Sequence, residues 1–318
     1  MARKLRVQYA GAIYYVMSRG NGKAAVFRNE VDRRSFVQTL AEACAKTGWQ
    51  VHAYCLMKTQ FHLVVETPRA NLVPGMKWLL STYTIRFNRR HKVFGHLFSG
   101  RYQALPVDGS GSGYLRTACD YVHLNPVRAK LLKPKQKLAA FGWSSYLDYL
   151  KEPKGRPKWL RVARVLGECG IAKDSAAGRR QFEQRMESRR ASDGSEFQAF
   201  KRGWYVGDEK FRRELLAQMK GKRRSEHFGP AVRESEMAKA ERVVQKELKR
   251  LGWREKELTA RRKGDPKKLR LAMLLRQNTT MTTGWIAERL QMGTSGHLSH
   301  LLYWDGKTKP KQKGRKRK

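Results

Sequence analysis

Residues 55–68, CLMKTQFHLVVETP, decide how the first half of the chain is read. Two apolar runs flank a short polar turn, which predicts two strands joined as a hairpin. Side chains two apart on a strand point to one face, so Gln60 and His62 project together. A His-x-His at this place would be a metal pair, and here the first partner is an amide. Two readings follow: a metal site with one altered ligand, or a strand that carries a histidine.

Outward from the hairpin, strands and helices alternate. GAIYYVMSRG (11–20) is rich in β-branched and aromatic residues and ends in a Gly-Asn turn. DRRSFVQTLAEACAKTG (32–48) has Phe36, Leu40 and Cys44 at helical spacing, with Gly48 as its stop. LVPGMKWLLSTYTIRFNRRH (72–91) predicts a helix with a strongly basic end. HLFSGRYQALPV (96–107) reads as extended. YLRTACDYVHLNPVRAKLL (114–132) reads as a helix broken at Pro126. Helices interleaved with a few paired strands predict a compact α+β domain.

The charge is extreme. Sixty-eight Lys and Arg against 27 Asp and Glu give +41, a field that favours a polyanionic partner. An anionic membrane would also attract it, but no run of about 18 apolar residues exists and no signal peptide is expected. Nucleic acid is the better partner, and no membrane association is predicted. Cys44, Cys55, Cys119 and Cys169 lack C-x-x-C spacing, and three of them lie in apolar-periodic segments and read as buried thiols, which predicts a reducing cytosol and no zinc finger.

Residues 151–235 begin with the linker-like KEPKGRPK and continue as helical pieces rich in Arg, Glu and Gln, without a catalytic constellation. From 236 a charged helix leads into LRLAMLLRQNTTMTTGWIAERLQMGTSGHLSHLLYW (269–304), which has the rhythm of a helix-turn-helix. Leu271, Leu274 and Leu275 form one apolar face. Thr283 is expected to cap a second helix, Met292-Gly293 to make the turn, and Thr294 or Ser295 to cap a third helix that buries Leu298, Leu301 and Leu302. Thr294, Ser295, His297 and Ser299 would then face a DNA major groove. Apolar spacing of this kind also suits an ordinary three-helix packing module. The last 13 residues hold eight basic and no acidic side chains, a tail expected to be disordered in isolation and drawn to phosphates.

DYVHLNPVRA (120–129) supplies a second chemical group. Tyr121 and Asn125 are four apart and share a helix face. A tyrosine can attack a phosphodiester, giving a phosphotyrosine link and a free hydroxyl on the leaving strand. A phenol titrating near 10 is a poor nucleophile at neutral pH and needs a cation on the phosphate. Gln60, His62 and Asn125 offer nitrogen and oxygen ligands for Mg²⁺ or Mn²⁺. The alternative reading makes Asn125-Pro126 a helix start and Tyr121 a core aromatic.

Residues 1–150 resemble the single-tyrosine HUH transposases of insertion sequences, and most closely the REP-associated tyrosine transposases. The resemblance runs in order through YYVMSRGNGKAAVF, HAYCLMKTQFHLVVETP, RFNRRHKVFGHLFSGRYQA, YVHLNPVRAKLL and WSSY. It implies a ferredoxin-like antiparallel sheet with metal histidines on a central strand and Tyr121 as nucleophile on a facing helix. The resemblance also implies that Asn125 takes the third ligand position. It also implies single-stranded or hairpin DNA as substrate, a divalent metal and no ATP. The family pattern is His-hydrophobe-His, whereas this chain has Gln60-Phe61-His62, which weakens the site.

The expected organisation is a catalytic domain (1–150), a helical middle segment (151–235), an all-α helix-turn-helix domain (236–305) that binds duplex, and a basic tail (306–318). Arg19, Asn21, Arg86, Arg89, Arg90 and Arg101 are candidate DNA contacts. Tyr83, Phe87 and Tyr102 are aromatic neighbours suited either to base stacking or to core packing. The competing function is an inactive DNA-binding descendant of such an enzyme. A third, an RNA-binding regulator, rests on charge and hairpin preference alone. A cytoplasmic, nucleoid-associated bacterial protein, monomeric or homodimeric, completes the expectation.

Overall fold

The computed structural model describes residues 7–191, 194–222 and 230–308. The chain forms two compact units, residues 1–226 and 227–318.

The first unit is built on four strands: β1 (Ala12–Arg19), β2 (Gln50–Met57), β3 (Gln60–Thr67) and β4 (Gln103–Val107). Helix α1 (Glu30–Thr47) joins β1 to β2, and α2 (Leu72–His91) joins β3 to β4. The sheet order is β2-β3-β1-β4 and every neighbouring pair is antiparallel, which is the ferredoxin-like arrangement expected. The hairpin turn is Lys58-Thr59, and its register pairs Gln60 with Met57. Asn29 and Asp32 form a capping box at the start of α1, and Gly48 ends it in the left-handed conformation at φ 77°.

Alternation along β3 decides which residues face what. Phe61 packs on Phe36 of α1, with ring centroids 4.8 Å apart, and Tyr83 of α2 lies 5.0 Å from Phe36. His62, one residue on, therefore points to the opposite face. That face is covered by α3 (Tyr114–Arg128), whose Tyr121 ring lies 6.2 Å from His62. Tyr83, Phe87 and Tyr102 are all buried, so the core-packing reading holds for them.

Helix α3 runs through Pro126 to Arg128, contrary to the expected break. The proline sits in the last turn, where its missing N–H costs a single backbone bond. Asn125 is accordingly an interior residue and not a helix cap. Its side-chain amide donates to the Tyr121 carbonyl at 2.9 Å.

The middle segment contributes α4 (Tyr146–Leu150), α5 (Ala163–Glu168), α6 (Ala176–Ser188), α7 (Gln198–Arg202) and α8 (Glu209–Lys222). Its Phe182, Phe197, Phe200 and Val206 belong to the same core as the sheet. Val206 also bonds the β4 edge, donating to the Pro106 carbonyl at 2.8 Å and accepting from Asp108 N–H at 2.7 Å. Arg185 grips the buried Asp120 with two hydrogen bonds of 3.0 and 2.6 Å, which fastens α6 to α3. All four cysteines are free thiols, with Cys44, Cys55 and Cys119 buried.

The second unit comprises α9 (Pro230–Leu251), α10 (Lys256–Ala260), α11 (Pro266–Asn278), α12 (Thr283–Arg289) and α13 (Ser295–Thr308). Leu271, Leu275, Ile286, Leu290, Met292 and Leu298 share one core, with Leu301 and Leu302 half-buried against it. Thr282, and not Thr283, caps α12 by accepting from Trp285 N–H at 3.2 Å. Thr294 caps α13 by accepting from His297 N–H at 3.2 Å. Arg289 ties α12 to α9 through Glu241, and the buried Lys268 ammonium donates to the Arg261 and Gln291 carbonyls at 3.0 and 3.2 Å. Most of the basic tail, 309–318, lies outside the described residues.

Candidate active site

Gln60 and His62 do share a face of β3, at the end beside Arg19. Arg19 Nε donates to Gln60 Oε1 at 3.4 Å, which turns the Gln60 amide nitrogen toward His62 Nε2, 3.0 Å away. With Nε2 accepting, the His62 proton sits on Nδ1 and is directed at the Tyr15 hydroxyl, 2.7 Å away. Burial, and then the Arg19 charge, push His62 down to about 3, so its imidazole is neutral at physiological pH.

Tyr15 is the site residue that sequence reasoning missed. Its ring stacks near His62 at 5.9 Å and meets Tyr121 edge-on at 5.5 Å. Burial, and next the neighbouring Tyr121, push its phenol well up. A row of side chains thus leads from Gln60 through His62 and Tyr15 to Tyr121. The only sequence signal was a second tyrosine in an otherwise apolar strand, which reads equally well as packing.

Tyr121 itself is 9% exposed. Phe200 stacks on it at 4.5 Å with an interplanar angle of 9°, and Phe197 packs at 5.4 Å. The Arg128 guanidinium lies over the same ring, 4.9 Å from its centre. Both phenylalanines come from the middle segment, so that segment walls the tyrosine.

The resemblance of residues 1–150 implies a divalent metal, and the side chains here fit one poorly as arranged. His62 Nε2, the nitrogen facing Gln60, already accepts from an amide; Gln60 turns its oxygen to a guanidinium; and Asn125 bonds the α3 backbone. Hard divalent cations favour oxygen donors and carboxylates, and this set supplies no carboxylate. Among the described residues no group of three His, Cys, Asp or Glu converges as a metal cluster.

The expected DNA contacts divide. Arg19, Asn21, Arg89, Arg90 and Arg101 are exposed. Arg86 is half-buried and donates to Thr39 at 2.7 Å and Glu42 at 2.9 Å on α1. Arg90 lies 3.5 Å from Asp32 but keeps an open face. Between Arg90 and Arg101, Phe94 is 98% exposed, an aromatic that sequence reasoning passed over. Thr294, Ser295, His297 and Ser299 are exposed at the start of α13. Among the described residues no helix is long and apolar enough to cross a membrane.

The sheet face and its facing tyrosine helix are the setting in which the comparisons with known proteins fall. Residues 8–125 match the family model described as Transposase IS200 like. Among solved structures, the REP-associated tyrosine transposase bound to a REP hairpin is similar at a TM-score of 0.41 and 11% identity, covering 50% of this chain and 91% of that one. No curated protein matches the chain.

Proposed function

We propose that the protein cleaves and rejoins single-stranded or hairpin DNA through a phosphotyrosine at Tyr121. The observation that carries this reading is the placement of Tyr121 on α3 against His62 and Tyr15, within a domain of the IS200-like family. The Tyr121 oxygen bonds to phosphorus while the bond from phosphorus to the leaving strand breaks. The phenol proton leaves by way of solvent and the departing oxygen ends as a hydroxyl. Tyr15 orients Tyr121, and the neutral His62 orients Tyr15. The resemblance would have Gln60, His62 and Asn125 hold Mg²⁺ or Mn²⁺ to neutralise the phosphate, a role these side chains do not fit as arranged. Exposed Arg19, Arg89, Arg90 and Arg101 track the backbone, and Phe94 offers a stacking face for an unpaired base.

Helices α11–α13 act as a helix-turn-helix on duplex DNA, with Thr294, Ser295, His297 and Ser299 at the groove. Such a protein works where the chromosome is, in the bacterial cytoplasm. A second reading is favoured by the Gln60–His62 contact: a DNA-binding protein in which the site has lost its metal. Incubating the full chain with labelled hairpin oligonucleotides, then denaturing, separates the two. A covalent band lost in Tyr121→Phe supports the enzyme, and binding without any band supports the second reading.

A further inference from the structure

Beside Tyr121 lies a small cavity walled by Leu124, Arg128, Arg189, Arg190, Gly194 and Phe197. Three arginines around one hollow is an anion's environment, but two of them are already committed. Arg189 Nε, itself without a hydrogen bond, forms an ion pair with Asp120 at 3.1 Å, and its Nη2 donates to Glu196. Arg190 bonds Glu187 at 2.9 Å and the Pro134 carbonyl at 3.1 Å. Arg128 differs. Its Nη1 is buried and has no hydrogen-bond partner among the described residues.

An unmet buried donor on a cation costs stability, so a group of this kind calls for an explanation. The guanidinium lies 4.9 Å from the Tyr121 ring centre and 4.6 Å from that of Phe197. Such contacts offset part of the cost and fix the plane. A guanidinium held by its faces keeps its in-plane N–H groups for an anion, the geometry that suits phosphate. Arg128 is also seven residues, about two turns, beyond Tyr121 on the same helix. It therefore shares the nucleophile's face.

We infer that Arg128 is the phosphate-binding residue of this site, donating its free N–H to a non-bridging oxygen of the phosphate that Tyr121 attacks. The inference rests on the reading of Tyr121 as nucleophile. It supplies, from the protein, the cation that the Gln60–His62 pair is poorly placed to hold. Charge gathering on the phosphate oxygens during attack meets a fixed donor.

The test uses the full chain and two readouts. The first is thermal stabilisation by inorganic phosphate against chloride at equal ionic strength, since a ligand of the native state raises its melting temperature. Wild type and Tyr121→Phe should both show the rise, and Arg128→Gln should lose it. Arg213→Gln, with the same charge change on the exposed surface of α8, should keep it. The second is the rate of covalent capture of a labelled hairpin oligonucleotide. Arg128→Gln should slow it by about a hundredfold and Arg128→Lys by about tenfold, as expected for loss of a charge-assisted contact. If Arg128→Gln fails to fold, Arg128→Lys carries both readouts, with phosphate stabilisation weakened relative to Arg213→Gln. A full phosphate response in the Arg128 variants, or capture at the wild-type rate, overturns the assignment. Capture persisting in Tyr121→Phe overturns the nucleophile instead, and the phosphate readout then judges Arg128 alone.

Discussion

The Gln60 amide nitrogen stands 3.0 Å from His62 Nε2 and occupies the lone pair that a metal would need. Arg19 holds the amide in that orientation from the other side. An imidazole at position 60 would bring a stronger ligand and no competing donor. Gln60→His should therefore raise Mn²⁺ affinity by roughly tenfold, about 1.4 kcal/mol. Calorimetric titration checks this, and equal or weaker binding would mean that the two side chains do not converge on one ion.

Phe200 covers the face of Tyr121 from a segment without chemistry of its own. Phe200→Ala should open the tyrosine to solvent and to DNA, at a stability cost of roughly 3–5 kcal/mol for a buried phenylalanine. Nitration mapped by mass spectrometry should rise at Tyr121 in the variant. Unchanged protection would place the barrier elsewhere.

Burial holds His62 and His123 at about 3, against an ordinary 6.5. Below pH 6.5 the unfolded chain takes up protons that the folded chain refuses until about pH 3. Their contribution to stability is thus complete above 6.5 and is lost as pH falls through that window, by about 1.4 kcal/mol per pH unit per histidine. Urea midpoints between pH 7 and 4 should show a shallower acid loss in His62→Gln than in wild type. An identical slope would contradict a neutral, buried His62.

The two units should divide their labour on DNA. Deleting 309–318 should weaken binding to all sequences alike and flatten the salt dependence by roughly 0.9 per lost duplex phosphate contact. Ser295→Ala with His297→Ala should instead reduce preference among duplex sequences at nearly unchanged salt slope. Competition binding at several salt concentrations distinguishes them, and a duplex preference untouched by the double substitution would remove α13 as the reader.

The sheet was legible because period-two alternation and a two-residue turn fix a hairpin locally. The face shared by Gln60 and His62 followed from the same rule. The helix break at Pro126 was misread because a proline one turn from a helix end costs too little to stop it. Tyr15, Phe197 and Phe200 were hidden for another reason: their meaning lies in contacts 47 to 106 residues away, and each alone looks like core. Arg128 was one basic residue among 68. Its buried Nη1, with neither a hydrogen bond nor an ion pair among the described residues, distinguishes it.

The most direct measurement of the central claim is the site of covalent attachment. The full chain, captured on a labelled hairpin oligonucleotide and digested with protease and nuclease, should yield one peptide bearing a phosphorylated nucleoside at Tyr121. Attachment at Tyr15 or at any other side chain, with Tyr121 unmodified, would contradict the account.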